Sequence, residues 1–258
     1  MPLDIFNNRT FAGANLLTLF LYGGLGGGIL FLSLNLVQAQ GYSQFQSGLT
    51  MLPFTFLMIA LARLMGKLSD RYGPKLFLII GPALAGIGQL MLAFIKQTHG
   101  VSEYYFTFFP GTLVFGLGMS VTVAPLTNTV MSAVGSELSG TASGINNAIT
   151  QIASVFANAI FGAVAVIFFA TAIHSQFEHV KMPENEKVLV IAQAADLGNA
   201  SVPDGVTATN KAGIQQYYRQ GFIKTYSKIL FISAILCFAG AAMALFFVNN
   251  NAQTTSAK

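Results

Sequence analysis

The stretch GKLSDRYGPK, residues 66–75, decides how this sequence folds, because of what lies on either side of it. The 53 residues from 10 to 62 carry no formal charge, and neither do the 20 from 76 to 95. Further charge-free runs cover 104–136, 138–177 and 229–257. Only 9% of the chain is charged, against roughly 25% in an average soluble domain. Mean hydropathy is +0.62. Such a chain lacks the residues for the polar shell of a soluble fold, and apolar runs this long are candidates for membrane-spanning helices. The reading is an all-α polytopic membrane protein.

Cutting the runs at polar or turn-rich breaks gives six spans, at about 11–37, 47–65, 76–96, 106–131, 141–173 and 226–248, in one membrane domain over 1–258. Each has roughly the 20 residues that a hydrocarbon core of about 30 Å demands. Strands are not expected, because alternation is absent and a barrel would need many shorter segments. Seven of the eight tyrosines fall near predicted span ends, where ring and hydroxyl meet different media; Tyr22 alone lies well inside one.

Lys67, Arg71 and Lys75 concentrate basic charge in the island, while the breaks at 38–46 and 97–105 contain no Lys or Arg. The charge bias of short loops makes the island cytoplasmic, and both termini with it. The long segment 174–221 is then external, although it carries Lys181, Lys187, Lys211 and Arg219. The formal charge of +4 is too scattered to suggest nucleic acid, and the single Cys237 excludes a disulfide framework. The first apolar run is too long for a cleavable signal core.

Gly66, Asp70, Arg71, Gly73 and Lys75 match G-x-x-x-D-R-x-G-x-K. This resembles the loop signature of the major facilitator superfamily, found between the second and third helices of each six-helix half. Pro74 departs from it, since many members have a further basic residue there. Residues 8–38 and 140–164 look like the carboxy-terminal half of the fourteen-helix drug:proton antiporter branch, with Gln151 standing near a position where relatives often carry Arg. The resemblance implies one half-bundle of two inverted three-helix repeats. It implies efflux of a small amphipathic or cationic molecule in exchange for protons, from a bacterial inner membrane. An amino-terminal half or a second copy of the chain would have to complete it. The five island residues would act as a conformational latch, Asp70 capping or pairing with a neighbouring helix end and Arg71 bonding acceptors across the contact between halves. A solvated turn with positive-inside charge is the plainer alternative.

The first and fourth helices of each half line the cavity in this superfamily, so the resemblance makes Asn15, Tyr22, Asn35, Thr122 and Asn128 cavity candidates, with buried packing as the alternative. Ser143, Asn147, Thr150, Ser154 and Asn158 recur at spacings of four, three, four and four, one face of a helix. Small and amide residues on such a face mark helix packing or the wall of a substrate path, and the resemblance implies that this helix meets the other half. Glycines 23, 24 and 26–28 allow close approach or bending, and Pro53, Pro110 and Pro125 can bend their helices. Gly81-Pro82 resembles an antiporter element that belongs on a different helix, and is read as coincidence. No Asp or Glu lies within a predicted span, so a proton carrier must come from elsewhere. Metal spacings, phosphate loops and nucleophile–base pairs are absent, and neither a cofactor nor an enzyme is expected. The competing reading is a non-transporting remnant or a membrane module that only packs against other helices.

Overall fold

In a computed structural model, residues 3–177, 183–203 and 208–250 are described. Helices are α1 (Arg9–Gln38), α2 (Gln44–Thr50), α3 (Leu52–Tyr72), α4 (Pro74–Ala93), α5 (Phe108–Ser132), α6 (Ser139–Phe177), α7 (Glu184–Ala192) and α8 (Ala208–Phe247). No strand occurs among the described residues. Among the described residues six stretches are long and apolar enough to cross a membrane, with α2 and α3 acting as one from Gln44 to Tyr72. The fold class expected from the charge-free runs is the one observed.

The first three spans and the last three pack by exchange. The third span, α4, lies on α5, as the sixth, α8, lies on α1. Helix α3 also packs on α5, while its counterpart α6 packs on α1. The opening helix of each triplet therefore receives the second and third helices of the other. Because each triplet holds an odd number of spans, the two run in opposite directions, an inverted repeat. Hydrogen bonds close the two bundle ends. Asn8 Nδ2 donates to the Ala133 carbonyl at the island end, and the Thr98 N–H donates to Gln40 Oε1 at the far end.

With lipid outside, the apolar effect cannot drive helices together, and close backbone packing takes its place. Gly81, Ala85 and Gly88 of α4 face Gly111, Phe115 and Gly118 of α5; a Cβ at Gly118 would meet the Ala85 nitrogen, and one at Gly88 the Phe115 backbone. The glycine run of α1 serves the same end. A Cβ on Gly24 would come within 2.7 Å of the Ser233 carbonyl on α8.

Two boundaries differ from those expected. The island is not a loop: α3 continues to Tyr72, since nothing from Lys67 to Tyr72 breaks a helix. The turn is Gly73 itself, at φ 90, followed by Pro74 in the first turn of α4. At the other end α8 begins at Ala208 rather than near residue 226, and Tyr218 and Tyr226 are buried against the other helices. Segment 174–221, apart from residues outside the described ones, such as Lys181, folds onto the bundle. Tyr218 Oη donates to the Val190 carbonyl at 3.0 Å, and Phe177 meets Tyr217 edge to face. Of the described prolines, only Pro82 and Pro125 stand in helix interiors; Pro53 and Pro110 fall in first turns.

Candidate functional site

The island residues form a helix end, a one-residue turn and a helix start. Asp70, exposed in the last turn of α3, accepts a hydrogen bond from Asn128 Nδ2 of α5 at 3.2 Å. An acid at a helix C-terminus opposes the backbone dipole, so a donor from a neighbouring helix offsets part of that cost. The Arg71 guanidinium stands 5.4 Å over the Tyr72 ring. Gly66 lies in α3 against Ala124 of α5. Helix α4 starts without a side-chain cap of its own, and Asn250, beyond α8, supplies one: its Oδ1 accepts the Lys75 N–H at 3.2 Å. A Cβ at Gly73 would run into that same amide. The chain around the turn is thus held by α5 on one side and by residue 250 on the other.

The cavity candidates do not gather. Asn15 is buried and bonds back to the Phe11 carbonyl at 2.9 Å. Asn35 is fully buried, and Tyr22 is half-buried. Thr122 donates to the Gly118 carbonyl and presses on Gly81, inside the α4–α5 contact. Asn128 is the partner of Asp70. An apolar groove of about 520 Å³ between α1, α6 and α8 is lined by Phe20, Phe156, Phe161 and Leu236 among others, and holds none of the five.

On α6 the polar stripe turns largely outward. Asn147 and Asn158 are exposed, while Ser143, Thr150 and Ser154 are half-buried. Thr150 and Ser154 donate to the carbonyls of Asn146 and Thr150, one turn back. The residue that ties α6 inward is the neighbouring Asn146, whose Oδ1 accepts from Thr18 Oγ1 of α1 at 2.8 Å. A Cβ added at Gly140 or Gly144, which open the stripe, would meet nothing within 4 Å.

Two polar residues had no signal in the sequence. Gln89, 1% exposed, sits in the middle of α4 and donates to the Gly24 carbonyl across the bundle at 3.3 Å. A lone amide in an apolar run has no periodicity to reveal it. Asn250 lies far from the island in sequence, and only the return of α8 brings it there. No group of three His, Cys, Asp or Glu that could hold a metal is found among the described residues.

Comparison with known proteins now adds to this geometry. The family model described as Major Facilitator Superfamily matches residues 2–158. The chain is 23% identical over 249 residues to the "Tetracenomycin C resistance and export protein" of Streptomyces glaucescens, covering 95% of this chain and 45% of that protein. It is 27% identical over 193 residues to the "Multidrug resistance protein Stp" of Mycobacterium tuberculosis, 75% of this chain and 35% of that one. Similarity to the "Quinolone resistance protein NorB" of Staphylococcus aureus is 27% over 169 residues, 65% and 35% of the two chains. The chain therefore matches less than half the length of these relatives.

Proposed function

Because the chain belongs to the Major Facilitator Superfamily, we propose that it is the carboxy-terminal half-bundle of a multidrug-type exporter. It moves small amphipathic or cationic molecules outward in exchange for protons, by alternating access, together with an amino-terminal half. It is a transporter component rather than an enzyme, and resides in a bacterial plasma membrane with its island and termini cytoplasmic. The export and resistance functions named for its bacterial relatives support the substrate class.

One observation carries the need for a second half. Asn147, Gln151 and Asn158 are exposed on α6, at roughly 12 to 29 Å along the helix axis from its start. Lipid tails cannot satisfy amides at those depths, so this face meets protein or a polar path. The Gln44–Tyr72 span is the least buried of the six found among the described residues, with 6% of its most apolar window inside. Proton coupling points the same way. Among the described residues the only carboxylate in a membrane-length helix is Asp70, in the final turn of α3. A carrier that titrates at membrane depth must then come from the other half.

The test is co-expression in a drug-sensitive bacterium with the amino-terminal helices of a full-length relative. Resistance from the pair, and from neither part alone, is the expected outcome. A correctly inserted pair that confers no resistance contradicts the export reading and leaves a packing module.

A further inference from the structure

At the bundle end opposite the island, Lys96, Lys224 and Lys228 border one open trough of about 520 Å³. It lies on the outward side of α8, between the ends of α4 and α6, with Phe94, Phe168 and Ile223 among its apolar lining. Lys228 Nζ stands 4.9 Å from the Phe168 ring centroid, which holds that ammonium against the α6 wall. Thr171, Ser175 and Ser227 add hydroxyls. Among the described residues no carboxylate lines the trough.

Two independent stretches of sequence put the three ammoniums at one depth. The charge-free run 76–95, which α4 occupies up to Ala93, is 20 residues long and is followed by Lys96. The apolar part of α8 starts at residue 229, with Lys228 and Lys224 one turn apart immediately before it. About 20 helical residues cross the hydrocarbon core, so all three lysines stand at headgroup level on the same side. Phe231 and Ile235, one and two turns deeper on α8, are 49% and 52% exposed and continue an apolar face from the lysines into the membrane. In the orientation proposed above this side is external, where an excess of Lys opposes the usual charge bias.

We propose that the trough is a binding site for an anionic phospholipid. Its phosphodiester sits among the three ammoniums, and an acyl chain follows Phe231 and Ile235. A free phosphate uses the lysines but not the apolar face beneath them, and a zwitterionic headgroup brings its own cation to the cluster. The inference rests on these helices crossing a membrane and does not depend on what the protein transports.

The test is native mass spectrometry of the purified chain, released from detergent with phosphatidylglycerol, phosphatidylcholine or inorganic phosphate. Wild type should retain phosphatidylglycerol over phosphatidylcholine by about tenfold, since each Lys near an anionic surface contributes measurably. The Lys96→Gln, Lys224→Gln, Lys228→Gln triple variant should bring that ratio near one, and the corresponding Lys→Arg triple should keep it. Lys67→Gln, at the island end, should leave it unchanged. Equal retention of both lipids by wild type overturns the proposal, and so does a preference that survives the triple Gln change. Displacement of the lipid by equimolar inorganic phosphate overturns it as well, in favour of a simple anion site. If the triple Gln variant does not stay monodisperse, the single Lys228→Gln variant decides: it must lower the preference severalfold.

Discussion

Asp70 on α3 and Asn128 on α5 are joined side chain to side chain, with Nδ2 and Oδ1 3.2 Å apart. The signature acid of the island is therefore bonded within its own half, to a helix from the other three-helix repeat. Any movement that separates α3 from α5 at this end must break that bond. Asp70→Asn keeps the shape and loses the charge. Because the pair is exposed, the substitution should change the thermal stability of the purified chain by less than about 1 kcal/mol. In a complemented transporter it should lower efflux on the order of tenfold, the size of a modest coupling between states. Dye efflux from cells, with membrane insertion checked by immunoblot, measures it; wild-type efflux would make Asp70 an ordinary surface residue.

Glycine tolerance should divide sharply by helix face. Gly118→Val drives a branched side chain into the Ala85 backbone. It should cost about 2–3 kcal/mol or prevent a monodisperse protein altogether. Gly144→Ala meets nothing within 4 Å and should leave the melting temperature of the isolated chain unchanged or slightly raised, because Ala is the better helix former. Melting curves in detergent compare the two. Equal losses would mean that the exposed α6 face is already packed within one chain.

Acid should loosen the turn before α5. Glu103 Oε1 lies 2.8 Å from His99 Nδ1, and Oε2 accepts the His99 backbone N–H at 3.3 Å. The side-chain bond to His99, then the backbone bond, lowers the Glu103 carboxyl below its ordinary value of 4.5. A depressed carboxyl favours the folded turn above its unfolded value, and that contribution disappears as pH falls through the folded one. Carboxyl-labelled NMR should place the Glu103 midpoint below 4.5, and His99→Ala should return it to the ordinary range. The neighbouring Tyr104 behaves oppositely: burial, then Tyr42 and Tyr105, raise it to about 12. The bond from its hydroxyl to the Thr50 carbonyl should therefore survive mild alkali, with stability lost as pH rises from about 10 toward 12.

Topology can be read with single cysteines in a Cys237→Ala background. Ser136 and Ser201 are exposed and suit the purpose, whereas Ser69 is fully buried on α3 and would report access to the bundle rather than sidedness. In intact cells an impermeant thiol reagent should label position 201 and spare position 136. The reverse pattern would invert the orientation.

The six spans were legible because charge is excluded from a hydrocarbon core, and its absence over 20 residues leaves few alternatives. Span ends were less so. Nothing in KLSDRY opposes a helix once the backbone has left the apolar layer, so α3 runs on until Gly73. Periodicity groups the α6 stripe onto one face, yet it carries no sign for inside or outside. The inward partner was Asn146, one position away from Asn147. The glycines of α1 read equally well as flexible or as close-packed, and Ser233 and Cys237 on α8 settle that question for Gly24. Gln89 and Asn250 act through contacts between distant parts of the chain, which no local pattern encodes.

We propose that this half-bundle supplies part of an exporter and lacks the proton carrier. That is tested most directly by reconstituting the purified chain in proteoliposomes, with and without an amino-terminal half, under an imposed pH gradient and with a fluorescent cationic substrate. The chain alone should show no gradient-driven uptake, and the reconstituted pair should show uptake that a protonophore abolishes. Protonophore-sensitive uptake by the chain alone would contradict the account. It would place a titrating group inside these six spans, with Lys228 the first residue to replace.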